Sequence, residues 1–515
     1  MKKQSLLKGT FILAISGILC KFLGLFFRWP LIMLVGDEGI AYYQISYSVY
    51  TFFLGVAAGA PVAISKLIAE KNAVGDRKGV FDVFKTSVYM MLILGVGGST
   101  IMLCLAKTFI KYLNWNPNAY PSLIAIGFAP FFISIITCYR GFFQGMQNMN
   151  PSAISQVVEQ SGRVVIGIGL AILLLPKGKA YAVGGATLGA TAGALFAGIY
   201  LSLKYKQEKR KMNGNIKGKS NPAIMEKLLK VAIPISLGST AGSIMALVDT
   251  ILVPNLLLKS GMDIMKSIEL YGQLSGKAHL LVNIPLTLSV ALSISLVPVI
   301  SSAVISNKRV EFEDKIDTAF KISSVISIPS LMGLFFLAYP ILHMLFPGHS
   351  DGYEILKYLS ISIPFIVFYQ TTASILQASG HTYKPLETLL IGCLIKVVVT
   401  YILVPMPNIN IYGAVIGSIV GYLVPAILNI IVLKRYLNVK IKYYNTLIKP
   451  SFASVIMIFI VIFIYKNLLI FGFGSSIACL IGIFLGGIIY VLLIMIFGVF
   501  DYSYIKSKFL KEKNV

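Results

Sequence analysis

Residues 138–165 read CYRGFFQGMQNMNPSAISQVVEQSGRVV, with apolar runs near 119–139 and 153–175 on either side. The polar knot is therefore a turn joining two long oily segments. Pro151 opens the second segment, where a missing N–H costs a helix little. Gln156, Glu159 and Arg163 follow at spacings that share one helix face. Polar groups gathered at such a place need a reason.

Working outward, the same alternation of oily run and polar turn fills the chain. Of 515 residues, 57% are hydrophobic and 13% charged, against about a quarter charged in soluble domains. Runs of roughly twenty apolar residues are long enough to cross about 30 Å of hydrocarbon as helix. The alternating pattern of a membrane barrel is absent. The fold class is thus an all-α polytopic membrane protein. About fourteen spans are expected, near 8–35, 41–69, 85–106, 119–139, 153–175, 181–204, 227–256, 272–305, 318–346, 354–379, 385–405, 411–433, 447–466 and 474–499. Pro30, Pro61, Pro234, Pro285, Pro329 and Pro364 are candidate kinks.

The N-terminus has the basic start and apolar run of a signal peptide. It lacks a small-residue cleavage site and continues through Lys21 and Arg28, so it reads as a retained first span. With that end in the cytoplasm, the basic segments 71–78, 204–230, 308–321, 434–449 and 506–513 fall inside, and the connection Gly36-Asp37-Glu38-Gly39 falls outside. Both termini are then cytoplasmic, in a plasma-membrane protein. Topology accounts for most of the net charge of +25, and no nucleic-acid partner is implied.

The longest polar connection, Lys204 to Pro222, divides the chain. The expected organisation is an N-lobe over 1–205 (spans one to six), a basic cytoplasmic linker over 206–226, a C-lobe over 227–436 (spans seven to twelve), and spans thirteen and fourteen with a tail over 437–515. The two lobes resemble each other. Gly185-Ala186 with Gly189 and Gly193 answers Gly413-Ala414 with Gly417 and Gly421, and the interval from Gln144 to Arg163 equals that from Gln377 to Lys396. Small residues at helical spacing let helices approach closely. Two six-span repeats of equal orientation belong to transporters built as two lobes around a cavity.

Charges within spans are functional candidates by default, since each costs about 2.5–3.5 kcal/mol on insertion scales. Lys21 and Arg28 share a face of the first span; Arg163 and Lys396 lie near mid-span at matching repeat positions; Lys66, Asp249 and Lys277 lie toward span ends. Plain alternatives exist: Glu159 can neutralise Arg163 at i, i+4, Lys66 can pair with Glu70, and Lys277 can reach the outer surface. The candidate cationic cavity is Lys21, Arg28, Lys66, Arg163 and Lys396. Arg140, Gln144, Gln156, Glu159, Asp249 and Lys277 are candidate gating or supporting residues. Guanidinium and ammonium groups suit an anionic cargo such as a lipid pyrophosphate. Outward movement of an anion gains about 2.3 kcal/mol per charge per 100 mV from a negative-inside potential.

Other chemistries lack support. The five cysteines form no CxxC and the four histidines no HExxH, so no metal or cofactor is implied. Gly214 to Ser220 is one residue short of a phosphate loop and follows no strand. Large polar loops with clustered acids, which a membrane enzyme would need, are absent.

The string RGFFQGMQNMNPSAISQVVEQSGRVV, together with GTFILAISGILCKFLGLFFRWPL and AYYQISYSVYTFFLGVAAGAPVAISKLIAE, resembles the stage V sporulation protein B family of Gram-positive bacteria. These are polysaccharide-biosynthesis transporters of the multidrug/oligosaccharidyl-lipid/polysaccharide (MOP) exporter superfamily, which includes the lipid II flippases. The resemblance implies a two-lobed bundle that moves an undecaprenyl-pyrophosphate-linked sugar, a peptidoglycan precursor for the spore cortex, from inner to outer leaflet. It implies that Arg28 and Lys66, matched by span, engage the pyrophosphate, and that spans thirteen and fourteen hold the lipid tail. A cation-coupled drug exporter, a non-transporting scaffold for wall or spore assembly, and a polytopic enzyme are the competing readings. Membrane lipids are further expected partners, with a cation or the membrane potential as candidate couplings; the oligomeric state is left open, a monomer being one reading.

Overall fold

The computed structural model describes residues 6–211, 218–305, 309–437, 439 and 442–499. The basic tail at 506–513 and residues 212–217 of the linker lie outside them. Every regular element among the described residues is helical: α1 (Leu6–Ala57), α2 (Ala60–Ala73), α3 (Arg77–Tyr112), α4 (Tyr120–Gly127), α5 (Ala129–Gly145), α6 (Asn150–Leu174), α7 (Lys179–Lys211), α8 (Pro222–Lys259), α9 (Ile264–Gly272), α10 (His279–Ile305), α11 (Arg309–Phe336), α12 (Ala338–Leu345), α13 (Tyr353–Leu359), α14 (Ser362–Ala378), α15 (Lys384–Leu403), α16 (Ile411–Leu437), α17 (Lys449–Ile470) and α18 (Ser475–Ile496). In hydrocarbon a helix satisfies its own backbone, so a chain this apolar has little other choice.

Among the described residues, eleven segments are long and apolar enough to span a membrane, or twelve if the α13–α14 pair, bent by 41°, is one span. Two points relate this count to the fourteen expected. The expected first two spans are counted there as one stretch, Ile15–Ala73, but they part where expected, at Gly36, whose φ of 70° only glycine adopts readily. The region expected at 272–305 contains the apolar 27-residue α10, part of which lies outside the residues that count covers. Prolines act in two ways. Pro30, Pro234 and Pro329 lie inside α1, α8 and α11. Pro61 instead opens α2 and Pro364 sits in the first turn of α14, where proline is tolerated without a kink.

The chain packs as two compact units, Met1–Gly272 and Gln273–Val515. The first includes α9 and α8, and α8 packs on α1, α2 and α3. Side chains fasten it there. Gly59 N–H donates to Ser236 Oγ at 3.1 Å, Trp115 Nε1–H to the Thr250 carbonyl at 3.0 Å, and Asn255 Nδ2–H to the Leu113 carbonyl at 2.6 Å. The linker's end is tied to α3 as well, with Lys219 N–H donating to Asp82 Oδ1 at 2.6 Å.

The second unit has an apolar core where α10, α11, α14 and α16 meet, around Ile300, Ile316, Phe320, Ile375 and Leu433. Three buried polar side chains of α14, α15 and α16 pair with one another: Thr388 Oγ1–H donates to Asn429 Oδ1 at 2.7 Å, and Asn429 Nδ2–H to Thr372 Oγ1 at 3.2 Å.

Candidate functional site

Beyond Gly36, α1 carries Tyr43, Tyr47 and Tyr50 at i, i+4 and i+7, one helical face. The Tyr43 and Tyr47 rings stack with centroids 5.3 Å apart. Arg28, earlier on α1, places its guanidinium 5.9 and 5.8 Å from those two centroids, with one N–H at 3.4 Å from Gln44 Oε1. Arg163 of α6 lies 5.7 Å from the Tyr47 centroid, with an N–H 3.4 Å from the Tyr47 hydroxyl. Two cations thus share one aromatic ring. Such contacts contribute about 0.5–2 kcal/mol each, more as water is excluded.

The turn between α5 and α6 sets the other wall. Asn148 N–H donates to the Phe143 carbonyl and Gln147 N–H to the Gln144 carbonyl, and Gln147 takes φ 57°. This is a left-handed helix cap with glutamine where glycine is usual. It folds α6 back so that Arg140 of α5 reaches Glu159 at 2.9 Å and Ser155 Oγ at 2.9 Å. Glu159 is therefore paired across helices by Arg140, and the i, i+4 neutralisation of Arg163 by Glu159 does not form.

Arg163 is 7% exposed. Its Nε–H, the Gln160 Oε1 and the Tyr50 hydroxyl have no hydrogen-bond partner. A cavity of about 260 Å³ lies against Tyr47, Tyr50, Thr137, Arg140, Glu159 and Arg163. Two guanidiniums face one carboxylate, so the site carries an excess of positive charge in a water-poor setting. Buried charge of this kind calls for a counter-charge. An anion with several acceptor oxygens supplies one, and guanidinium forks match phosphate geometry.

The other sequence candidates are scattered. Lys21 and Lys66 are exposed on α1 and α2, and Lys66 forms no ion pair with Glu70. Gln144 is half-buried beside the turn. Gln156 accepts from Ser16 Oγ at 2.8 Å, tying α6 to the first part of α1. Asp249 is buried on α8. Lys277 does not reach a surface: it is 0% exposed, and its ammonium donates to the carbonyls of His349 at 2.7 Å and Asp351 at 3.2 Å within the second unit. The tyrosine face was not among the charge-based candidates; its i, i+4, i+7 spacing was the available signal. No three His, Cys, Asp or Glu side chains converge among the described residues.

Lys396 is 2% exposed on α15, and its packing repeats that of Arg163. Cβ atoms on Gly189 and Gly193 of α7 would fall 2.7 Å from the Arg163 carbonyl oxygen and 3.0 Å from its nitrogen. Those on Gly417 and Gly421 of α16 would fall 3.4 Å from the Lys396 carbonyl oxygen and 2.9 Å from its Cβ. Gly185 meets Leu170 and Gly413 meets Leu403 in the same register. Each unit therefore presses a glycine-faced helix onto a helix bearing one buried cation.

Residues 6–304 match the family described as polysaccharide biosynthesis protein, and residues 278–402 match that described as MatE. Stage V sporulation protein B of Bacillus subtilis (strain 168) is 28% identical over 505 residues, covering 96% of each chain. Lipid II flippase MurJ of the same organism is 26% identical over 482 residues, covering 88% of this chain and 86% of its own. Among solved structures, an inward-facing MATE transporter of the MOP superfamily superimposes with a TM-score of 0.70 at 17% identity, over 82% of this chain and 98% of its own. Lipid II flippase MurJ in an inward closed conformation gives 0.67 at 19%, over 95% and 99%. By the match over its first 304 residues and the helical architecture, the chain belongs to the polysaccharide biosynthesis protein family, in the MOP superfamily of multi-pass membrane transporters.

Proposed function

We propose that the protein flips an undecaprenyl-pyrophosphate-linked oligosaccharide from the inner to the outer leaflet of the plasma membrane by alternating access, both termini being cytoplasmic. The observation that carries this reading is Arg163: a buried guanidinium with an unpartnered Nε–H, lining a cavity that Arg140, Tyr47 and Tyr50 also border. The cavity cations hold the pyrophosphate, the sugar occupies the aqueous side, and the tail stays in lipid. The negative-inside potential favours the outward step, at about 2.3 kcal/mol per charge per 100 mV. The similarity to stage V sporulation protein B and to MurJ supports a lipid II-type peptidoglycan precursor, with spore cortex synthesis as its use. A cation-coupled drug exporter would need a carboxylate available to the coupling ion, and Glu159, the carboxylate of this cavity, is engaged by Arg140.

Binding of undecaprenyl-pyrophosphate-linked disaccharide to the purified protein tests the assignment. Arg163→Ala is expected to weaken it at least tenfold, about 1.4 kcal/mol. Arg163→Lys is expected to recover part, since an ammonium keeps the charge without the fork. Equal affinity of both variants and the parent removes Arg163 from the site.

A further inference from the structure

The cationic cavity has three polar groups in its wall without a hydrogen-bond partner, and they are not alike: Arg163 Nε–H, the Tyr50 hydroxyl and Gln160 Oε1. The first can only donate, the second can donate or accept, and the third can only accept. Gln160 and Arg163 stand three residues apart on α6, neighbours on one helix face. They do not serve each other, so the donor and the acceptor both stay open. A buried polar group without a partner is an exception in folded proteins and calls for one supplied from elsewhere.

A pyrophosphate answers only part of this set. Its oxygens accept from Arg163 and from Tyr50, but once ionised they have nothing to give to Gln160. Arg140, the other guanidinium of the wall, is engaged by Glu159 at 2.9 Å and by Ser155 Oγ at 2.9 Å. A sugar esterified to the pyrophosphate differs in this respect, because it carries hydroxyl and amide N–H donors next to the phosphate.

We propose that Gln160 determines specificity: its Oε1 accepts a hydrogen bond from the first sugar of the cargo, beside the pyrophosphate held by Arg163, and so separates the glycosylated carrier from the bare one. This rests on the cargo being a polyprenyl-pyrophosphate-linked glycan, and adds what tells a loaded carrier from an empty one. With the bare carrier bound, a buried acceptor stays unmet, and a site built for a hydrogen bond discriminates strongly against a ligand that lacks it. Once the glycan is transferred away on the outer side, what remains is a lipid that this site holds weakly. Binding follows loading.

The test compares, for the full chain in nanodiscs, the affinities for undecaprenyl-pyrophosphate-linked N-acetylglucosamine and for bare undecaprenyl pyrophosphate. The two share the polyprenyl chain and the pyrophosphate, and the additional phosphate charge of the bare lipid acts against the expected preference rather than for it. At about pH 8 the phosphate is past its second ionisation, near about pH 6, so the bare lipid offers no donor. The parent is expected to favour the glycosylated lipid at least about tenfold, equivalent to about 1.4 kcal/mol. Gln160→Met keeps the length and flexibility of the side chain without the acceptor. It should bring the ratio close to one by weakening the glycosylated lipid, with the bare carrier bound as before. A Gln160→Met variant that weakens both lipids equally, or that keeps the parent's ratio, overturns the inference. So does a parent that binds the bare lipid as tightly as the glycosylated one, since water then satisfies Gln160; the cargo reading survives that result. A parent that binds neither lipid overturns the cargo reading itself, and this inference with it.

Discussion

Arg140 and Arg163 are one helix face apart in their surroundings and opposite in their roles. Arg140 is committed: its guanidinium is shared between Glu159 and Ser155. Arg140→Ala leaves Glu159 buried without a partner and is expected to cost at least about 1–3 kcal/mol, read as a lower Tm in detergent, with Arg140→Ala/Glu159→Gln recovering most of it. Tyr47 holds Arg28 and Arg163 by its ring face more than by its hydroxyl, whose contact with Arg163 is long at 3.4 Å. Tyr47→Phe should therefore preserve cargo affinity, whereas Tyr47→Leu should lower it several-fold, since the cation–π contribution is about 0.5–2 kcal/mol. At the membrane surface, Asp76 caps α3 through Gly79 N–H, and that bond, with Lys71, holds its carboxyl below the usual carboxylate range. Its contribution is present at neutral pH and is lost only as pH falls through that lowered value, so hydrogen exchange at the start of α3 should rise at a pH below the ordinary Asp titration. The charges of the site were legible in the sequence because charge in a span is expensive. Their partners were not: Glu159 lies four residues from Arg163 and nineteen from Arg140 in sequence, and only the folding back of α6 decides between them.

Among elements, the helix pairs α6–α7 and α15–α16 carry the repeat. Glycines at 185, 189 and 193, and at 413, 417 and 421, stood out in the sequence because their spacing keeps one face bare, and the structure uses that face for backbone contact. Gly193→Leu, whose Cβ would meet the Glu159 carbonyl, is expected to abolish folding or monodisperse elution; Gly169→Ala, where a Cβ meets nothing within 4 Å, should be silent. The elements that sequence reading drew differently are those where the backbone departs from a straight span. The break at Gly36 falls in the Gly36-Asp37-Glu38-Gly39 connection that the sequence marks; what hydropathy does not show is a second break, with α2 beginning only at Ala60. That second break lies where Gly59 meets Ala232 and Ser236 of α8, a contact that is tertiary in origin.

At the scale of the whole molecule, all-helical polytopic architecture was readable from composition alone. The linker is the longest polar segment of the chain, and α8 beyond it packs on α1, α2 and α3 through Trp115, Asn255 and Gly59. Long-range hydrogen bonds of that kind leave no local signature. On the proposed reading, the protein carries a pyrophosphate-linked glycan lipid outward on a buried guanidinium. That step is tested most directly by reconstituting the protein in vesicles with fluorescent lipid II and measuring how fast the headgroup becomes accessible on the opposite leaflet. The prediction is rapid exposure with the parent protein and at least about a tenfold slower rate with Arg163→Ala at equal protein content, equivalent to about 1.4 kcal/mol on the barrier. A rate no greater than that of protein-free vesicles, or one unaffected by Arg163→Ala, would contradict it.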